Sequence, residues 1–283
     1  MCPRKRALSY NPWWSYREEK RLKLLNGFRN RRRVGVDASV EISEQDGVRY
    51  LHLGSSTIQS GMRLSDPDDL ALSYTRSMMA FLLFVPEPQR VLSVGLGGGS
   101  VNKWMYRKFP EATQVVLELN PRVIAAARRY FHLPLDDERL QVIQGDGAQW
   151  VAEHPDSADV VLVDGYDGES QVEELTTPEF YLAAARALRR DGVLVVNLWG
   201  SDRKFDDNLQ RIESAFEGQV TCVPAQQKGN IIVLAFKRRP AQSRWDELRD
   251  RARELEARYG LEFLRFVEVM KRLNPHTEKR LLI

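Results

Sequence analysis

The chain has 283 residues, 43% hydrophobic and 29% charged, enough to bury a sizeable core as one large domain or a domain with smaller attachments. Its formal charge of +3 is small for that length, so bulk charge alone names no polyanionic partner. Cys2 and Cys222 lie far apart and the four histidines form no ligand pattern, which excludes a disulfide framework and a zinc cluster and favours a reducing cytoplasm.

The N-terminal stretch MCPRKRALSYNPWW is basic but has no apolar core of a leader, and no later segment is apolar for long enough to span a bilayer. Secretion and membrane insertion are therefore not expected. Much of the positive charge falls in REEKRLKLLNGFRNRRR, with Arg29, Arg31, Arg32 and Arg33 close together. Such a run can hold phosphate or RNA, or be a solvated basic arm at a subunit surface; the missing aromatic and glycine patterning of RNA-binding modules favours the arm and disfavours nucleic acid as a partner. We assign residues 1–33 to it.

From Val34 to Leu64 apolar and polar residues alternate, punctuated by Asp46-Gly47, Gly54 and Gly61, as in short antiparallel strands joined by tight turns. Residues 34–66 form a predicted β-subdomain. The next segment, DPDDLALSYTRSMMAFLLFVPEP, predicts a helix with Asp66 or Asp68 as N-cap and a stop at Pro86.

Beyond Gln89, apolar runs alternate with amphipathic segments: Val91–Val94, Gln114–Leu119, Leu140–Ile143, Val160–Val163 and Val193–Leu198. Strands apolar on both faces and separated by helices predict a doubly wound, mostly parallel α/β sheet of the Rossmann-like kind. Segments near Val220–Val223 and Ile231–Lys237 extend it at an edge. This domain spans 67–240, and a C-terminal helical extension, 241–283, packs on the core or on a partner subunit.

In such a sheet ligands bind beyond the carboxyl ends of the strands. After the first run come Gly95, Gly97, Gly98 and Gly99, which either bring bare N–H groups against a ligand or let a helix pack tightly on a strand. No Gly-Lys-Ser/Thr follows, which excludes a P-loop. Glu118 ends the second run, where an acid accepts two hydrogen bonds from a ribose diol or caps the helix near Asn120-Pro121. Asp146, followed by Gly147, accepts from an adenine amino group or caps the helix near Ala148. Asp164 and Asp167, after the fourth run, hold and deprotonate a cationic amine or form turns beside Gly165 and Gly168.

Taken together, the glycine loop, Glu118, GDG, VDGYDG and LTTPEFYLAAARALRRDGVLVVN resemble the spermidine synthase family of polyamine aminopropyltransferases, built on the class I AdoMet-methyltransferase fold. Upstream, LHLGSSTIQS looks like the family's short β-segment ending in a substrate-contacting Gln, here Gln59, and LSYTRSMMAFLLF like its Tyr-containing helix, with Tyr74 in place. The resemblance covers roughly Tyr50 to Lys237. It implies transfer of an aminopropyl group from decarboxylated AdoMet to an amine, without metal, by a cytoplasmic homodimer. Asp164 would be the base and Asp167 would help hold the amine. Glu118 would bind ribose and Asp146 adenine, with Gln59, Gly95, Gly97, Gly99 and Gly147 also on the donor side and Tyr74, Tyr166 and Gln226 on the acceptor side.

The chain departs from the family at four places. Gly98 stands where the glycine loop carries an acid that helps bind the donor's amine, and Asn120 stands for an Asp. PAQQKGN, with Gln226, replaces a Tyr-containing segment, and the Asp-Pro-x-Gly-Pro run after Asp167 is missing. Losing one carboxylate partner of a cation costs about 1–3 kcal/mol. The neutral loop therefore admits a second expectation, an AdoMet-dependent methyltransferase whose donor keeps its carboxylate, because bare N–H groups welcome an anion. A non-catalytic nucleoside-binding or scaffold protein is a third, and a NAD-dependent dehydrogenase a distant fourth.

Overall fold

The computed structural model describes residues 32–37 (backbone), 40–54, 57–165, 172–226 and 229–283. The basic arm up to residue 31, and with it most of the arginine run, lies outside the described residues, as do Tyr166 and Asp167.

Four antiparallel strands come first and pair in chain order: β1 (Arg32–Asp37), β2 (Val40–Gln45), β3 (Val48–His52) and β4 (Ser60–Arg63). Asp46 and Gly47, between β2 and β3, both have positive φ, 51° and 73°, the backbone that a tight two-residue hairpin requires. Ile42, Leu51 and Met62 build one apolar face, and it packs on Val123, Ala127 and Phe131 of the neighbouring helical layer.

The first helix, α1 (Ser73–Met78), continues as a 3-10 turn over Met79–Leu83. It starts later than the sequence suggests. Its N-cap is Leu72, so neither Asp66 nor Asp68 caps it. The Asp-Pro-Asp-Asp run closes a turn of its own, with the Asp69 N–H donating to the Asp66 carbonyl at 3.2 Å, and Asp68 pairs with Arg107 at 2.8 Å. Aspartate and proline at successive turn positions favour that local closure over helix entry.

The main sheet has seven strands. β5 (Arg90–Val94), β6 (Thr113–Glu118), β7 (Leu140–Gln144), β8 (Ala158–Val163) and β9 (Leu188–Trp199) are parallel, while β10 (Val220–Pro224) and β11 (Asn230–Phe236) form an antiparallel hairpin. The order is β10-β11-β9-β8-β5-β6-β7. The chain winds outward from β5 through β6 to β7 and then returns to place β8 on the other side of β5. The reversal between β5 and β8 is the switch point at which open sheets bind ligands.

Connecting helices are α2 (Ser100–Lys108), α3 (Pro121–Tyr130), α4 (Gly147–Glu153), α5 (Pro178–Ala187) and α6 (Phe205–Ala215). In β9, Val193 and Val195 pack with Phe81, Trp104 and Phe266 on one face, while Leu194 and Val196 pack with Tyr181, Phe205 and Ile212 on the other. Two apolar faces on one strand are what a sheet sandwiched between helices demands. Each such fully buried side chain contributes about 1.5–3 kcal/mol.

The C-terminal helices α7 (Trp245–Tyr259) and α8 (Phe263–Leu273) close on this core. Asn274 ties the end of α8 to β10, accepting from the Cys222 N–H at 2.8 Å and donating to its carbonyl at 2.9 Å. Among the described residues no helix is long and apolar enough to cross a membrane, and no group of three His, Cys, Asp or Glu side chains could hold a metal.

Candidate active site

A cavity of about 760 Å³ opens over the switch point, walled by the carboxyl ends of β5, β6, β8 and β9, the start of β11, and the β3–β4 connection with α1. Gly95 shapes its centre. With φ of 93° it turns the chain away from β5, and a Cβ there would run into the Asp164 carbonyl. Backbone bonds pin this corner, from the Gly95 N–H to the Leu117 carbonyl at 2.9 Å and from the Asp164 N–H to the Val94 carbonyl at 3.0 Å.

The four loop glycines divide by what surrounds them. Gly95 and Gly97 line the cavity. Gly98 and Gly99 are buried behind it. A Cβ on Gly98 would meet Phe131 Cδ1 and Ser60 Oγ, both at 2.8 Å, and one on Gly99 would meet Leu133 Cδ1 at 2.7 Å. Gly99 also has φ of 70° as the N-cap of α2. It serves the entry into α2 and does not line the donor side. The neutral position 98 is thus a packing requirement: the β4 and α3 neighbours leave no room for the acid, and a side chain there would head into them rather than into the cavity.

Glu118 is placed by its strand end and held by backbone. Its Oε2 accepts from the Leu96 N–H at 3.0 Å and its Oε1 from the Asn120 N–H at 2.9 Å. The N–H groups of Leu119 and Gly97 also lie against this carboxylate, so a ligand hydroxyl would share its oxygens with backbone donors. Burial raises its pKa, and the backbone N–H groups oppose the rise. It does not cap α3. That role belongs to Asn120, whose side chain accepts from the Arg122 N–H at 3.0 Å. Asp146 does cap its helix, accepting from the N–H groups of Ala148 at 2.8 Å and Gln149 at 3.3 Å, and it also lines the cavity.

Asp164 follows β8 at the cavity floor. Asn197 Nδ2 donates to its Oδ1 at 2.8 Å, and the Tyr74 hydroxyl reaches it from α1. That hydroxyl, with one proton to give, donates to the Gln59 carbonyl at 3.0 Å, so Asp164 has at most a share of it. Burial pushes the Asp164 carboxyl above the ordinary carboxylate range, against the pull of the two hydrogen bonds. A carboxyl raised in this way is a better proton acceptor when ionised, because basicity follows pKa.

Gln59, Tyr74, Gly95, Gly97, Glu118, Asp146, Gly147 and Asp164 come together around one cavity. Gln226 does not. It is exposed at the end of β10, which β11 separates from β9, and the first residue of β11, Asn230, takes the cavity wall instead. Sequence reading also passed over Asn197, Trp199 and Glu174, all of which line the cavity. Asn197 had a signal, a polar residue near the end of the apolar run VLVVNLW. Among the described residues the lining carries four carboxylates, Glu118, Asp146, Asp164 and Glu174, and no Lys, Arg or His.

Comparison with known proteins places this geometry. Residues 71–244 match the family model described as the spermine/spermidine synthase domain. The chain is 45% identical to a polyamine aminopropyltransferase of Chromobacterium violaceum over 92% of this chain and 100% of the relative, and 41% identical to one of Neisseria meningitidis over 85% and 92%. Among solved structures it is similar in fold to a spermidine synthase in complex with the transition state analogue AdoDATO, with a TM-score of 0.60 at 23% identity, covering 73% of each chain. It is similar also to human methyltransferase-like protein 13 in complex with SAH, with a TM-score of 0.60 at 22% identity, covering 66% of this chain and 92% of that one. The β-subdomain, the switch-point cavity and its acids therefore have a common setting: the chain belongs to the spermine/spermidine synthase family.

Proposed function

We propose that this chain is an aminopropyltransferase that moves an aminopropyl group from decarboxylated AdoMet to an amine acceptor. The observation that carries the proposal is the cavity lining, four carboxylates with no cationic side chain among the described residues. Both substrates of that reaction are cations, and a cavity lined by one sign of charge concentrates ligands of the other. Relatives named polyamine aminopropyltransferase support the same chemistry.

The residues present fit the donor. Glu118 offers its cavity-facing carboxylate to a ribose diol, Asp146 an acceptor to an adenine amino group, and Leu119, 69% exposed although apolar, a surface against which a base can lie. The donor supplies a sulfonium that makes its neighbouring carbon electrophilic, so the protein has to align the acceptor and keep its nitrogen unprotonated. Asp164, held between Tyr74 and Asn197, receives the proton that the attacking nitrogen gives up. As that nitrogen bonds to the aminopropyl carbon, the carbon–sulfur bond breaks, its electron pair stays on sulfur, and methylthioadenosine leaves. Positioned proton transfer of this kind contributes roughly 10²–10⁴-fold. We assign Asp167, outside the described residues, to holding the amine beside it.

A methyltransferase reading drew its support from the neutral glycine loop. Gly98 is neutral because no Cβ fits there, so its neutrality carries no information about a donor carboxylate. The test is product analysis. Incubation with decarboxylated AdoMet and a diamine such as putrescine should yield methylthioadenosine and the aminopropylated amine in equal amounts. Methyl transfer from AdoMet, with no methylthioadenosine formed from the decarboxylated donor, would overturn the proposal.

A further inference from the structure

Asp164 is contacted from two elements, by Tyr74 on α1 and Asn197 on β9. The Asn197 amide has two unlike ends, an Nδ2 that donates and an Oδ1 that accepts. With Nδ2 toward Asp164 at 2.8 Å it supports a carboxylate. Turned over, it would present Oδ1, which repels a carboxylate and accepts from a carboxylic acid. The two ends are nearly the same size, so packing cannot choose between them; a hydrogen-bonding partner must. One such partner is Asn230, whose Nδ2 donates to Asn197 Oδ1 at 2.9 Å. Asn230 is itself anchored, opposite Trp199 in the β9–β11 ladder and with its carbonyl accepting from the Ala225 N–H at 2.8 Å.

We propose that Asn230 is a positioning residue that couples the Asn197 amide to its own, so that the end facing Asp164 changes only when both amides turn over together. This rests on Asp164 being the base of the proposed reaction. The two amides form a directional relay with every donor pointing toward Asp164. Reversing Asn230 would set two oxygens against each other, so Asn197 would have to reverse too. The relay therefore has two self-consistent arrangements, one matched to a carboxylate and the other to a carboxylic acid. Both asparagines also line the cavity, so an acceptor ammonium donating to Asn230 Oδ1 would hold the relay in its carboxylate form as substrate arrives. Among the described residues the other titratable groups sharing the cavity are Tyr74 from α1, Glu118 from β6, Asp146 before α4 and Glu174 ahead of α5. They are the same in every variant below.

Asn230→Asp sets an acceptor-only group against Asn197, whose Nδ2 turns to it and whose Oδ1 turns to Asp164. Carbon-13 NMR follows Asp164 as the carboxyl resonance missing from Asp164→Asn. Its titration should move up by about one pH unit, and the acidic limb of kcat/KM should follow with a roughly ten-fold loss on that limb. Asn230→Leu, which removes the anchor without adding charge, should give a smaller shift in the same direction. In the Asn197→Leu background, Asn230→Asp reads the new charge alone and should shift Asp164 by less than half as much. Equal shifts in the two backgrounds, or an unmoved titration in Asn230→Asp and Asn230→Leu alike, would overturn the relay. The carboxyl titration needs no substrate, so it decides the relay even if the wild-type protein turns over no amine, a result that would count instead against the proposed function.

Discussion

The two ends of the cavity are built from different materials. At the β5–β6 end the loop glycines Gly95 and Gly97 and the carboxylate of Glu118, held by backbone N–H groups of the same loop and strand end, stand among apolar side chains with Asp146 beside them. At the β8–β9 end they are side chains from α1, the end of β8, β9 and β11, namely Tyr74, Asp164, Asn197 and Asn230, joined to one another by hydrogen bonds. A Cβ at Gly95 would meet the Asp164 backbone, and one at Gly98 or Gly99 the side chains of Phe131, Ser60 and Leu133, so the first end changes only if its neighbours move. The second can be retuned by one substitution. On the proposed assignment, nucleoside recognition falls at the more rigid end and proton handling at the adjustable one.

The strongest way to separate the two ends is Asp164→Asn. Turnover should fall by roughly 10²–10⁴-fold, while nucleoside binding measured by calorimetry stays within a few-fold of wild type. Stability should move the other way. Burial raises the Asp164 pKa, so the folded protein keeps this proton at pH values where the unfolded chain has lost it. The stability that proton contributes is complete below the ordinary carboxylate pKa and is lost as pH rises through the raised value. The variant escapes that loss, so at pH 7 it should melt higher, by about 2–4 °C for each kcal/mol involved. Melting curves at pH 5 and pH 8 should show the gap widening with pH. A variant that melts lower than wild type at pH 8 would mean that Asp164 is not a desolvated acid.

Glu118→Gln probes the backbone-built end. The amide must turn an NH₂ toward the N–H of Leu96 or Asn120, which already donate there, and it loses an acceptor for the ribose. Donor binding should weaken by roughly 10–100-fold, the equivalent of about 1.5–3 kcal/mol, with kcat at saturating donor little changed. A fall in kcat with an unchanged donor Kd would place Glu118 in the wrong half of the comparison.

Gly98→Asp introduces the loop acid that the sequence resemblance leads one to expect. It should not improve donor binding, and it should lower stability by about 1–3 kcal/mol, because the new Cβ meets Phe131 and Ser60 in a packed core. Denaturant midpoints check the stability and calorimetry the affinity. Tighter donor binding at unchanged stability would show that the loop is free to take a charge after all.

An effect confined to alkaline pH belongs to Lys103, which lies behind the β5–β6 end with its ammonium on the carbonyls of Pro67 and Phe131, both at 2.6 Å. Burial lowers its pKa from 10.5 to about 8. The unfolded chain then binds more protons between those values, so wild-type stability should rise with pH from about 8 to 10.5 relative to Lys103→Met. Parallel stability curves for the two proteins over that window would argue that the ammonium keeps an ordinary environment.

The rigid end was largely legible in the sequence. Strands apolar on both faces stand out as runs, and Glu118 and Asp146 stand out because each ends or follows a run, where a parallel sheet puts its ligands, as Asp164 does at the other end. Which acid only caps a helix was not legible, because Asp146 caps α4 and lines the cavity at once. Nor was the reason for Gly98, since Phe131 approaches it from beyond α3, far along the chain. The adjustable end was read least well. Asn197 and Asn230 are 33 residues apart, and they meet only because β11 inserts antiparallel between β9 and β10. The same insertion carries Gln226 away from the cavity. Periodicity predicts strands, but their lateral order is a property of the assembled sheet.

The central claim is that the cavity is built for a cationic donor, and the most direct measurement is a calorimetric comparison of decarboxylated AdoMet with AdoMet. The two differ by one carboxylate, which in a cavity lined by four acids and no cationic side chain among the described residues should cost at least about 1.4 kcal/mol, a ten-fold weaker Kd. Tighter binding of decarboxylated AdoMet by that margin is the expected result, and equal or tighter binding of AdoMet would contradict it.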